Sequence, residues 1–67
     1  MAGEEYKRRL NSEIVRLLEG AGYEWQGWIP GFHNRHLGVS IRYEEVQRHT
    51  PGTIVHWITE QQARREP

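Results

Sequence analysis

Gly31-Phe32-His33-Asn34-Arg35-His36-Leu37-Gly38-Val39-Ser40-Ile41-Arg42-Tyr43 is the stretch whose reading decides the fold. From Val39 to Tyr43 apolar and polar residues alternate, which is the two-residue period of a half-buried strand. Gly38 is a natural break ahead of that run. Two strands are expected, near 32–37 and 39–43. A single strand from Phe32 to Arg42 is the rival. Just upstream stands Ile29-Pro30-Gly31, and Pro followed by Gly suits the two central positions of a type II turn. Before that turn, Tyr23-Glu24-Trp25-Gln26 alternates ring and polar side chain, predicting a strand near 23–28. Rings of this size carry much of the buried area in a small sheet.

Helical periodicity flanks these strands on both sides. Tyr6, Leu10, Ile14, Leu17 and Leu18, with Val15 alongside, fall on one stripe. That spacing predicts a helix from Glu4 to about Glu19. Glu4 and Glu5 complement the positive end of its dipole. Asn11-Ser12 offers an alternative cap for a shorter helix starting at Glu13. The stripe keeps phase through Asn11, which favours one long helix. Gly20 and Gly22 are placed to stop it. Downstream, Glu44 to His49 reads as a short helix or a loop. Thr50 then caps and Pro51 opens a second helix, on which Ile54, Trp57 and Ile58 share a face. The predicted order is α-β-β-(β)-α. It gives an α+β two-layer sandwich, with two helices packed on one face of a small antiparallel sheet.

The 67 residues make one domain, 1–67, with 1–3 and 64–67 expected to fray. A chain this short buries only about 60% of the surface its unfolded form exposes, so every large apolar side chain counts. Cysteine is absent, which excludes a disulfide framework and thiolate metal sites. The N-terminal residues lack the apolar core of a secretory signal. No apolar run reaches the roughly 20 residues that span a bilayer. A cytoplasmic, membrane-free protein is therefore expected.

Nine basic and nine acidic side chains cancel. The bases are eight arginines and one lysine, and every acid is glutamate. Between Gly27 and Tyr43 there is no acid, while His33, Arg35, His36 and Arg42 all lie there. A locally basic face on a neutral chain follows from that distribution. His33 and His36 stand three apart, a spacing that brings side chains together on a helix but not on a strand. With no Asp or Cys near them, neither metal nor cofactor is expected.

Four stretches in this order resemble the HicA family of small toxins from bacterial toxin–antitoxin pairs. Ser12 to Tyr23 matches a first helix ending in a small-Gly-aromatic stop. Gly31-Phe32-His33 stands where the family has Gly-Ser-His ahead of an extended strand. Val39-Ser40-Ile41 resembles a Val-Thr-Val strand, and Thr50 to Gln61 resembles a Pro-x-Gly-Thr helix start. The resemblance covers roughly Ser12 to Gln61. It implies a fold similar to a double-stranded-RNA-binding domain and a metal-independent mRNA-cleaving activity. It also implies His33 as the key catalytic residue and an antitoxin as protein partner. Phe32 replaces the family's serine.

The residue chemistry can be read beside that expectation. An unperturbed imidazole titrates near neutral pH, so His33 suits proton transfer at an RNA 2′-hydroxyl. Strand alternation would put Arg35 on the same face, where a guanidinium can hold two phosphate oxygens. Arg42 adds a second cation. Trp28 or Phe32 beside the site would stack on an unpaired base. Gly52 and Thr53, at a helix N-terminus, would offer N–H groups to a phosphate.

Two other classes compete. Glu44 to Gln62 can be read as a helix-turn-helix that directs Thr53, His56, Thr59 and Gln62 at DNA bases, with the hairpin as a wing. Alternatively, a neutral chain rich in Trp and Arg suits a non-catalytic phage or mobile-element protein that inhibits a host protein.

Overall fold

The computed structural model describes residues 2–65. In chain order it contains α1 (Ala2–Arg8), α2 (Ser12–Gly20), β1 (Tyr23–Gln26), β2 (Gly31–Asn34), β3 (Val39–Arg42), α3 (Tyr43–Gln47) and α4 (Pro51–Arg65). The class is α+β: a three-stranded antiparallel sheet packed against helices. Ala2, Gly3, Arg64 and Arg65, expected to fray, lie within helices. The other residues expected to fray, Met1, Glu66 and Pro67, lie outside the described residues.

The single long first helix is not formed. The chain breaks at Asn11, whose backbone is extended (φ −61°, ψ 124°) and whose Oδ1 accepts the N–H groups of Glu13 at 2.8 Å and Ile14 at 3.3 Å. This is N-cap geometry, and it satisfies two donors that a helix start leaves open. Ahead of the break, Arg9 and Leu10 donate to Tyr6 and Lys7, three residues back, which tightens the end of α1. Lys7 Nζ reaches Glu19 Oε2 at 3.0 Å, so α1 is tied to the far end of α2. Of the two glycines expected to stop this helix, Gly20 is its last residue. Gly22 (φ 96°) takes the left-handed turn.

The strands run β1-β2-β3, each antiparallel to the next. Tyr23 faces Asn34, Glu24 faces His33, and Trp25 faces Phe32. Phe32 in turn faces Ile41, and His33 faces Ser40. Residues directly opposite share a sheet face. One face therefore presents Tyr23, Trp25, Phe32, Asn34, Val39 and Ile41. The other presents Glu24, Gln26, His33, Ser40 and Arg42. The first face meets Ile14 and Leu18 of α2, Val46 of α3 and Ile54 and Ile58 of α4 in one buried cluster that also includes Leu10. The second face contributes no residue to that cluster, and Glu24, Ser40 and Arg42 on it are exposed.

Two turns differ from expectation. Pro30-Gly31 is not the centre of the β1–β2 connection. That connection bends earlier, where the Ile29 N–H donates to the Gln26 carbonyl at 3.3 Å, and Gly31 already pairs with Gln26 and Arg42. Gly31 lacks a positive φ; a close approach of backbones requires it instead. A Cβ there would sit 2.5 Å from the Ile41 carbonyl oxygen. The second strand ends at Asn34, short of residue 37. Asn34 is 3% exposed; its Oδ1 accepts the Leu37 N–H at 3.0 Å and its Nδ2 donates to the Ala21 carbonyl at 3.2 Å. The Gly38 N–H donates to the Asn34 carbonyl at 2.8 Å, with Gly38 left-handed at φ 67°. Strands two and three are thus separate, and the rival single strand is excluded.

Tyr23 is buried beside Trp57, ring centroids 5.6 Å apart, and its hydroxyl has no hydrogen-bond partner among the described residues. Burial raises its pKa above the ordinary 10.0, because the phenolate is the form that loses hydration. The native state then keeps a proton that the unfolded chain releases first. Stability contributed by the neutral ring is complete below pH 10 and falls as pH rises beyond it. Tyr23→Phe is expected to raise stability by about 1 kcal/mol at neutral pH by removing an unpaired buried hydroxyl. It should also weaken the alkaline decline. Urea midpoints of both proteins, measured at pH 8 and above the tyrosine range, check both parts. Equal alkaline slopes would place the phenol in water.

Candidate functional site

His33 occupies the middle strand on the uncovered sheet face and is half-buried. Its flanking residues Phe32 and Asn34 point into the core, which anchors the β2 backbone under the imidazole. The ring Nδ1 lies 2.7 Å from Ser40 Oγ on β3, a short hydrogen bond between directly opposed residues. Glu24 stands opposite His33 on the other side, from β1. The row across the sheet therefore reads Glu24, His33, Ser40. Arg42, exposed, lies two residues beyond Ser40 on the same face. Gln26, two beyond Glu24, is at the same end of the sheet, about 7 Å along from the histidine row at strand rise.

Trp28 projects from the β1–β2 connection and is 83% exposed. Its indole N–H donates to Gln26 Oε1 at 3.3 Å, which tethers the ring to the uncovered face. His33, Arg42 and Trp28 are thus brought to one side of the sheet.

Four site expectations need correction. Phe32 cannot stack on a base: it is 0% exposed and packs edge-on against Trp25, ring centroids 5.2 Å apart. The alternation that turns His33 outward turns its neighbour inward. Arg35 does not share the strand face with His33, because β2 ends one residue before it. Arg35 and His36 instead line a shallow cleft with Glu19, Gly22, Tyr23 and Glu24. The stretch that is acid-free in sequence is therefore not acid-free in space. Finally, of the two donors expected at the N-terminus of α4, that of Thr53 is already engaged. The Thr53 N–H already donates to Thr50 Oγ1 at 3.2 Å, and Thr53 Oγ1 accepts the Thr50 N–H at 2.8 Å, a reciprocal cap. His49 Nδ1 lies 3.0 Å from the same Thr53 hydroxyl.

The side chains proposed to read DNA from α4 are largely engaged within their own helix. Thr53 caps it, the Thr59 hydroxyl donates to the Val55 carbonyl at 2.9 Å, and His56 lies 3.8 Å from Glu60.

Ser40 was not singled out by the sequence. Alternation through Val39–Arg42 turns it outward, yet only the register shows it bonded to His33. Among the described residues no helix is long and apolar enough to cross a membrane. No protein-family model, curated protein or solved structure matches the chain.

Proposed function

We propose that the chain acts on RNA as a HicA-like toxin does, with His33 as the proton-transfer group and Arg42 as the nearby cation. The observation that carries this reading is the placement of His33. It lies on the sheet face turned away from the core, on a backbone fixed from below, with its ring held at Ser40. The α-β-β-β-α order supports it as well, once α1 and α3 are counted as short additions. In the reaction the 2′-oxygen bonds to phosphorus and the bond from phosphorus to the 5′-oxygen breaks. His33 takes the 2′-hydroxyl proton, and water supplies a proton to the departing oxygen. The products are a 2′,3′-cyclic phosphate and a free 5′-hydroxyl. Arg42 offers its guanidinium to the charge that builds on the phosphorane oxygens.

The purified chain is expected to cleave RNA in the presence of a chelator. His33→Ala should lower the rate by about 100-fold with circular dichroism unchanged. Cells expressing the wild type should arrest with fragmented mRNA, and cells expressing the variant should grow. Intact RNA after incubation with folded wild type would sink the reading.

One observation favours a second reading, a binder of another protein. Trp28 stands almost wholly in water at the edge of the same face, and tryptophan is the side chain most often dominant in protein interfaces. An antitoxin or a host enzyme would both meet it there. Trp28→Ala should then abolish capture of one stoichiometric partner. If that partner is not an antitoxin and the chain cleaves no RNA, the second reading replaces the first.

A further inference from the structure

The geometry points to Ser40 as a positioning residue that holds the His33 ring in one orientation through both of its protonation states. The proposal rests on the reading of His33 as a proton carrier, but it concerns the ring itself.

Direct opposition across β2 and β3 brings Ser40 Oγ to 2.7 Å from His33 Nδ1. A hydroxyl both donates and accepts, whereas a carboxylate only accepts and an ammonium only donates. For Nε2 to act as a base, the neutral imidazole carries its proton on Nδ1, and Nδ1–H donates to a lone pair on Ser40 Oγ. When Nε2 takes a proton and the ring becomes an imidazolium, Nδ1–H still donates to the same oxygen. The contact survives the change of charge with donor and acceptor unchanged, so the ring need not turn between accepting a proton and releasing it. Nδ1 being occupied, Nε2 is the nitrogen that meets a substrate.

The other charged groups facing the ring are Glu24 from β1 and Arg42 from β3. Among the described residues neither forms an ion pair with it. The core residues of α2, α3 and α4 pack on the opposite side of the sheet, while Tyr6 of α1 lines a cleft with Arg42 and Tyr43 at the sheet's end. Ser40 is accordingly the one direct hydrogen-bond partner shown for the imidazole, and it is a partner without charge. An aspartate in its place would favour the imidazolium and impair the ring as a base. A methyl group would release the ring.

The test uses the full chain carrying Ser40→Ala, Ser40→Thr and Ser40→Asp. Ser40 is exposed, and circular dichroism verifies that each variant folds. Nitrogen-15 spectra of the His33 imidazole are recorded across its titration, with RNA cleavage measured in parallel. In the wild type the ring should show one fixed side-chain rotamer on both sides of its titration. Ser40→Ala should average the rotamer and lower kcat by about 10- to 100-fold, with KM little changed. Ser40→Thr, which keeps the hydroxyl, should restore both. Ser40→Asp should move the His33 titration to higher pH and shift the rising limb of the rate profile with it.

A fixed rotamer in Ser40→Ala, equal to that of the wild type, overturns the proposal whatever the cleavage result. If the rotamer is fixed in the wild type and freed in Ser40→Ala while neither cleaves RNA, the positioning contact stands and the nuclease reading fails.

Discussion

Phe32→Ala is expected to leave the chain largely unfolded at room temperature. Truncating a buried phenylalanine costs about 3–5 kcal/mol, from lost transfer energy and from the cavity left behind. A domain of this size holds only about 3–5 kcal/mol in total. Phe32 is wholly buried on the middle strand, between Trp25 and Ile41 on its two neighbours, so its loss opens the centre of the sheet. No neighbouring side chain is free to fill the gap without leaving its own place in the cluster. Far-ultraviolet circular dichroism and a urea titration read the outcome directly. A native spectrum with an unshifted midpoint would place this ring outside the core. Phe32→Leu separates structure from function, since it keeps most of the apolar volume. It should fold and, on the present reading, retain whatever RNA binding the wild type has. A stacking role for the ring would require the opposite.

Gly31→Ala should cost about 3 kcal/mol, an effect at the upper end for adding one methyl group. The new Cβ would lie 2.5 Å from the Ile41 carbonyl oxygen and 3.0 Å from the Arg42 Cα. Both are backbone atoms, which cannot swing aside as a side chain does. Gly31 is paired on both sides, to Gln26 and to Arg42, so β2 has no direction in which to withdraw. At a urea slope of about 1 kcal/mol per molar for a chain this short, most of the native baseline should disappear. A midpoint within a few tenths molar of the wild type would show that the strands separate easily here. That would mean Gly31 serves the preceding turn after all.

These two positions also show what one-dimensional pattern conveys. The runs Tyr23–Gln26 and Val39–Arg42 are legible because one sheet face is covered and the other is not, which writes a period of two into the residues. Ile54, Trp57 and Ile58 are legible for the same reason with the helical period. The break at Asn11 is not. Leu10 is needed in the core on either arrangement, so the apolar stripe cannot tell one helix from two. Only the cap at Glu13 and Ile14 decides it. Pro30-Gly31 has the local chemistry of a turn, but the constraint on Gly31 comes from a strand ten residues further on.

Within the candidate site, the outward turn of His33 follows from alternation alone. Applied consistently, the same alternation removes Phe32 from any shared surface. Arg35 depends on where the strand stops, which a buried asparagine side chain sets. Ser40 and Glu24 are paired with His33 by register, and register is a relation between strands that no single run of residues contains.

Because β1, β2 and β3 are neighbours in both sequence and space, the sheet is closed by short loops alone. Such contacts form quickly, since little chain entropy is lost in making each one. The lid on the inner face is different: Ile54 and Ile58 come from the far end of the chain and must find α2, some 40 residues earlier. At about 5–20 residues per second, a ribosome would expose the three-stranded array, with only α2 over its apolar side, for about one to three seconds before those two isoleucines emerged. Early contact with another chain during synthesis, whether a chaperone or a partner, would therefore meet Phe32 and Ile41 first.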